Sequence, residues 1–77
     1  MKISRTEVVA TTRWYVRNNL KGYREVDIAS EYYEMYDCTM VKVYLVNRYH
    51  QMFKLGFEIN NSGEIIVDIN KELRRID

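Results

Sequence analysis

The 77-residue chain has no proline, one cysteine, one histidine and three glycines. A single cysteine, Cys38, excludes an internal disulfide framework, and such a residue reads as small and buried rather than nucleophilic. With so little glycine and no proline, no linker, repeat or low-complexity stretch stands out. No apolar run nears the ~20 residues a membrane span needs, and no secretory signal is visible, so the expected compartment is the cytoplasm. Charge of one sign is also scarce. The net charge of +1 is too small to drive strong nucleic-acid binding by itself. A chain of this length forms one domain, residues 1–77, and buries only roughly 60% of its unfolded surface. Its stability must come from a well-made core or from a partner subunit.

What the chain does have is alternation. Between Val41 and Ile69 the odd positions are Val41, Val43, Leu45, Phe53, Leu55, Phe57, Ile59, Ile65, Val67 and Ile69. Polar or mixed residues fill the positions between them. Successive side chains of a strand point to opposite faces, so this pattern predicts a half-buried antiparallel sheet. Strands are expected over about Thr39–Asn47, Gln51–Ile59 and Glu64–Asn70. A turn falls near Tyr49 and another over Asn60-Asn61-Ser62-Gly63. Pairing Ile59 with Ile65 also pairs Phe57 with Val67 and Leu55 with Ile69, all on one face.

Ahead of the sheet, Ser4 and Glu7 form a capping-box pattern, flanked by Ile3 and Val8 at hydrophobic-staple positions. Gly22 provides the stop. A helix is expected over about residues 5–21, with Arg13, Arg17 and Lys21 toward its negative end. At 100° per residue its apolar stripe centres on Val9, Val16 and Leu20, flanked by Thr12, Val8 and Tyr15. Trp14 falls off this stripe. It is either covered by another part of the chain, such as the C-terminal tail, or it is a contact anchor. Tyr23–Asp37 reads as a strand with a bulge in the Glu31–Asp37 run, the alternative there being a helical turn capped by Ser30. The tail, Lys71–Asp77, has the pattern of one helical turn capped by Asn70, with Leu73 and Ile76 folding back. The expected architecture is α+β, one N-terminal helix packed on a three- or four-stranded antiparallel sheet, with room for a short C-terminal helical turn.

With one long helix, the second sheet face is left without cover. Its residues include Met40, Lys42, Tyr44, Val46, Met52, Lys54 and Ile66, more apolar than a solvated face requires. The expected function is therefore non-enzymatic: a protein-interaction or regulatory module that self-associates as a homodimer through this face. Trp14 and the tyrosine edge, Tyr32, Tyr33 and Tyr36, are further protein-contact candidates. An alternative is single-stranded nucleic acid or RNA, with Tyr44 and Tyr49 stacking on bases and Lys42, Arg48 and Lys54 touching phosphates. Glu58, Glu64 and Asp68 on the same face oppose it. Helix followed by three strands is also the order of a double-stranded-RNA-binding domain, but the basic run opening a second long helix is missing.

Charge is sorted along the chain. Residues 1–21 hold five cations against Glu7, and residues 22–40 hold five acids against Arg24. This predicts either an interleaved solvated surface or a dipolar one that steers a partner. Catalytic material is thin. His50 sits in a predicted turn, and a His/Cys mechanism would need it beside Cys38 with a third group. Glu31, Glu34 and Asp37 lack the spacing and glycine of a calcium loop. Asn60-Asn61-Ser62 matches a glycosylation sequon by chance. No cofactor, metal or membrane is expected.

Ile3-Ser4 leading into Val8–Leu20, then Gly22, then strands ending in Phe57-Glu-Ile-Asn-Asn-Ser-Gly-Glu-Ile-Ile-Val67, resembles the PepSY and cystatin-like small domains. That resemblance implies the helix-on-sheet architecture and an inhibitory or protein-binding role.

Overall fold

The computed structural model describes residues 2–66 and 73–77. The chain is an α+β domain, with one helix, α1 (Arg5–Asn19), and five strands among the described residues. These are β1 (Tyr23–Tyr33), β2 (Cys38–Asn47), β3 (Met52–Asn60), β4 (Ile65–Ile66) and β5 (Arg74–Arg75). The sheet is antiparallel in the order β1-β2-β3-β4, with β5 also pairing with β3.

The helix begins as its cap pattern requires. Ser4 is extended, and its side chain accepts a hydrogen bond from the Glu7 amide at 3.1 Å. The helix ends two residues earlier than expected. The Leu20 amide still bonds the Val16 carbonyl, after which Gly22 turns the chain at φ +90°, a conformation that favours glycine. Lys21 therefore lies beyond the helix, and Arg17 is the cation in its last turn. The buried ladder is Val8, Thr12 and Val16, at strict four-residue spacing, rather than the Val9–Val16–Leu20 stripe. Val9, Tyr15 and Leu20 pack around its margin.

The ladder lies over Ile28, Val41, Val43, Leu45, Leu55, Phe57 and Ile59, which form the core with Val8 and Val16. Two aromatic contacts extend it sideways. The Tyr15 and Phe57 rings are 5.6 Å apart, and Tyr23 meets Phe53 edge-on at 5.3 Å.

Tyr23–Tyr33 is the predicted strand, but its bulge lies at Val26, between Glu25↔Leu45 and Asp27↔Tyr44. The extra residue lets both Glu25 and Ile28 pair with core-face residues of β2. The Tyr32–Asp37 run instead closes the β1–β2 hairpin through a turn, with Tyr36 and Asp37 amides bonding the Tyr33 and Glu34 carbonyls at 3.2 Å. Neither a bulge nor a helix forms there, because Tyr33 pairs with Cys38 and leaves four residues to reverse the chain.

The Ile59–Ile65 register holds. The Phe57–Val67 and Leu55–Ile69 pairs lie outside the described residues, as do Asp68, Asn70, Lys71 and Glu72. The rest of the tail corrects the helical-turn expectation. Arg74 and Arg75 pair with Lys54 and Phe53, and the Ile76 amide bonds the Met52 carbonyl at 2.9 Å. The exposed backbone of β3 supplies hydrogen bonds that an isolated single turn cannot match. Leu73 does fold back onto the core, whereas Ile76 is exposed.

Thr12 is fully buried, and its hydroxyl has no hydrogen-bond partner among the described residues. An unpartnered buried hydroxyl costs about 1–3 kcal/mol. Thr12→Val should therefore raise the thermal midpoint by roughly 4–8 °C per kcal/mol gained. Thermal denaturation followed by circular dichroism checks this; a lower midpoint would show that the hydroxyl is satisfied.

Candidate interaction surface

Antiparallel partners share a sheet face, so register fixes which side chains lie together. On the face away from α1, Arg24 pairs with Val46, and Val46 with Met52. Next along the strands come Asp27, Tyr44 and Lys54, with Arg74 beyond. Ala29, Lys42 and Gly56 form the following row, and Glu31, Met40, Glu58 and Ile66 the one after. Tyr33, Cys38 and Asn60 complete the face. All the expected residues of this surface, Met40, Lys42, Tyr44, Val46, Met52, Lys54 and Ile66, are thus contiguous. Met40, Tyr44, Val46 and Met52 are half-buried by their sheet neighbours, and Ile66 is 45% exposed. Ala29, Glu31, Tyr33, Met40 and Lys42 line a shallow depression in it.

Net charge follows the strand direction. Toward one end of the face Arg24, Lys54 and Arg74 outnumber Asp27, and toward the other lie Glu31 and Glu58. The residues beyond the face repeat the trend. Arg13, Arg17, Lys21 and Arg24 surround a groove at the helix C-terminal end, where Glu25 binds Arg13 at 2.9 Å. Glu34 and Asp37 sit in the turn at the opposite end. Parity signalled Lys54 and Glu58 in the sequence. Arg24 was hidden because the Val26 bulge breaks the parity of β1.

The other candidates do not join this face as a group. Tyr32 pairs with Thr39 on the core side, is half-buried, and donates to the Asp37 carboxylate at 2.6 Å. Asp37 also accepts from the Asn61 amide at 2.7 Å, which ties the β1–β2 turn to the β3–β4 turn. Tyr33 lies on the outer face and donates to Glu31 at 3.3 Å. Tyr36 is 73% exposed in the turn. Trp14 is 56% exposed, so the expected tail cover is not formed by Arg74–Ile76, which pairs with β3. It lines a groove with Tyr15, Gly63 and Ile65. Arg48 and Tyr49 sit in the β2–β3 turn with the guanidinium 5.2 Å from the ring centroid. That turn is held by Asn47, whose side-chain oxygen accepts from the Tyr49 and Gln51 amides.

His50, at φ +62°, lies in the same turn. Cys38 begins β2, at the strand's far end, roughly 30 Å away at 3.3 Å per residue. Burial, then the Glu58 carboxylate, push the Cys38 thiol above its ordinary range, which suppresses the thiolate. Among the described residues no three of His, Cys, Asp and Glu come together as metal ligands. No described helix is long and apolar enough to cross a membrane.

No protein-family model matches the chain, and neither a curated protein nor a solved structure matches it.

The Asp37 hydrogen bond, with burial, pushes the Tyr32 phenol up to about 12 from its ordinary 10.0. The raised value favours the neutral phenol in the folded state. Its contribution to stability is full below pH 10 and is lost as the pH rises through about 12. A tyrosinate absorbance titration should show a late-ionising phenol that disappears in Tyr32→Phe and returns to the ordinary range in Asp37→Ala. A titration unchanged by Asp37→Ala would break this link.

Proposed function

We propose that this protein is a small non-enzymatic interaction module that binds protein through its uncovered sheet face, with a second copy of itself as first partner. One observation carries the reading: α1 covers a single face, and the opposite face gathers Met40, Tyr44, Val46, Met52 and Ile66 into one continuous surface. Such surfaces are enriched in tyrosine and methionine where proteins meet. The separation of His50 from Cys38 supports the non-enzymatic part. The single free, buried cysteine suits a reducing compartment such as the cytoplasm. An inhibitory role of the PepSY kind would be a narrower form of the same reading, with the bound partner an enzyme.

A second reading has its own support. Tyr44 stands directly across from Lys54 with Lys42 in the next row, and the Arg48–Tyr49 pair projects from the turn at that end. This is a ring beside cations, as single-strand binders use, with the Asp27 residue across from Tyr44 on its other side. Glu31 and Glu58 confine it to half of the face.

Light scattering over a concentration series should reveal a dimer that weakens by about tenfold or more in Tyr44→Asp or Val46→Asp, a charge buried without a partner being strongly unfavourable. Unchanged mass in both variants removes this surface from the assignment. Nucleic-acid binding through Lys42, Arg48 and Lys54 would lower log K with log salt at a slope of about −2. A flat salt response, or no binding to a single-stranded oligonucleotide in dilute salt, eliminates that reading.

A further inference from the structure

We infer that the second copy docks face to face about a two-fold axis running across the strands, midway between the Tyr44 and Lys42 rows. This rests on the outer face being the self-association surface proposed above, and goes further by fixing orientation and register.

The argument comes from how charge is sorted. Two sheets related by an axis along their strands would lay the end where Arg24, Lys54 and Arg74 outnumber Asp27 on the same net-positive end of the copy. An axis across the strands reverses one sheet and lays its basic end over the other's acidic end. It also sets each strand against its own copy, so β2 faces β2 and β3 faces β3, in the aligned packing usual for paired sheets.

Register then follows from where the axis crosses. An axis through the Lys42 row stacks Lys42 on its copy. An axis through the Tyr44–Lys54 row stacks Lys54 on its copy. Midway between them neither clash occurs. Tyr44 meets Lys42 of the second copy, a cation over an aromatic face, and Val46 meets Met40. Lys54 lies over Gly56, where the missing side chain leaves room. On β1, Arg24 meets Glu31 of the second copy, twice by symmetry.

The size is adequate. The molecule measures 39 × 23 × 17 Å, and its broad face is comparable to the ~800 Å² per partner of a standard interface.

The test is a charge swap read by sedimentation equilibrium or light scattering, with folding checked by circular dichroism. Arg24 and Glu31 are exposed, so both changes are compatible with the fold. Arg24→Glu and Glu31→Arg should each raise the dimer dissociation constant by roughly tenfold or more, since each turns two attractions into repulsions. The double variant R24E/E31R should return within about threefold of the wild type, because both cross-contacts re-form with signs exchanged. A dimer weakened by Tyr44→Asp but indifferent to both reversals, or a double variant no better than its parents, overturns the orientation while leaving self-association through this face intact. A dimer indifferent to Tyr44→Asp as well, or a wild-type chain that stays monomeric at every concentration, overturns both.

Discussion

The α1 helix is narrower than the sheet it covers. A helix with its side chains is about 10–12 Å across, whereas four strands, each taking ~4.8 Å of the sheet, occupy about 19 Å. Val8, Thr12 and Val16 therefore protect only a central strip of the inner face. Tyr15 against Phe57 and Tyr23 against Phe53 fill the margins, which is one reason a 77-residue chain can use so many aromatics. Leu73, Ile3 and Ile65 add to the same strip. Among the described residues the covering material lies on one side, and the opposite side keeps Met40, Tyr44, Val46 and Met52 half-exposed.

The parts of the fold that depend on neighbours in sequence were readable. Ser4, Glu7 and Gly22 bounded the helix because capping involves residues three or four apart, and alternation from Val41 onward gave β2, β3 and their faces. The failures share a cause, which is pairing between distant segments. The Val26 bulge is visible only once Glu25 is set against Leu45 and Asp27 against Tyr44. The tail kept helical spacing at Leu73 and Ile76, yet the free hydrogen-bonding groups of β3 drew Arg74 and Arg75 into a strand. Thr12 fell on the flank because the stripe was centred on Val9, Val16 and Leu20, whereas the sheet meets the helix along Val8, Thr12 and Val16. The candidate surface was half legible in the same way. Even-numbered residues of β2 and β3 were identified by parity, whereas Arg24 and Glu31 join them only through the register of β1.

The segmental asymmetry of charge becomes spatial because α1 and β1 run in opposite directions along the molecule. Basic residues late in the helix and at the start of β1 meet at one end, while acids late in β1 and in its turn collect at the other. The small net charge conceals this arrangement. Ionic strength screens it over a Debye length of about 8 Å under physiological conditions.

The bulge at Val26 bears on something besides register. β1 is eleven residues long, and one side of its backbone is not joined to another strand among the described residues. Flat, regular strands of that length are templates on which further chains add and fibres grow. An unpaired residue a few positions in, flanked by Arg24, Glu25 and Asp27, breaks the even spacing of donors and acceptors that an incoming strand would have to match. The bulge thus makes the outer edge of β1 a poor template for open-ended growth while leaving the broad face of the sheet unaffected.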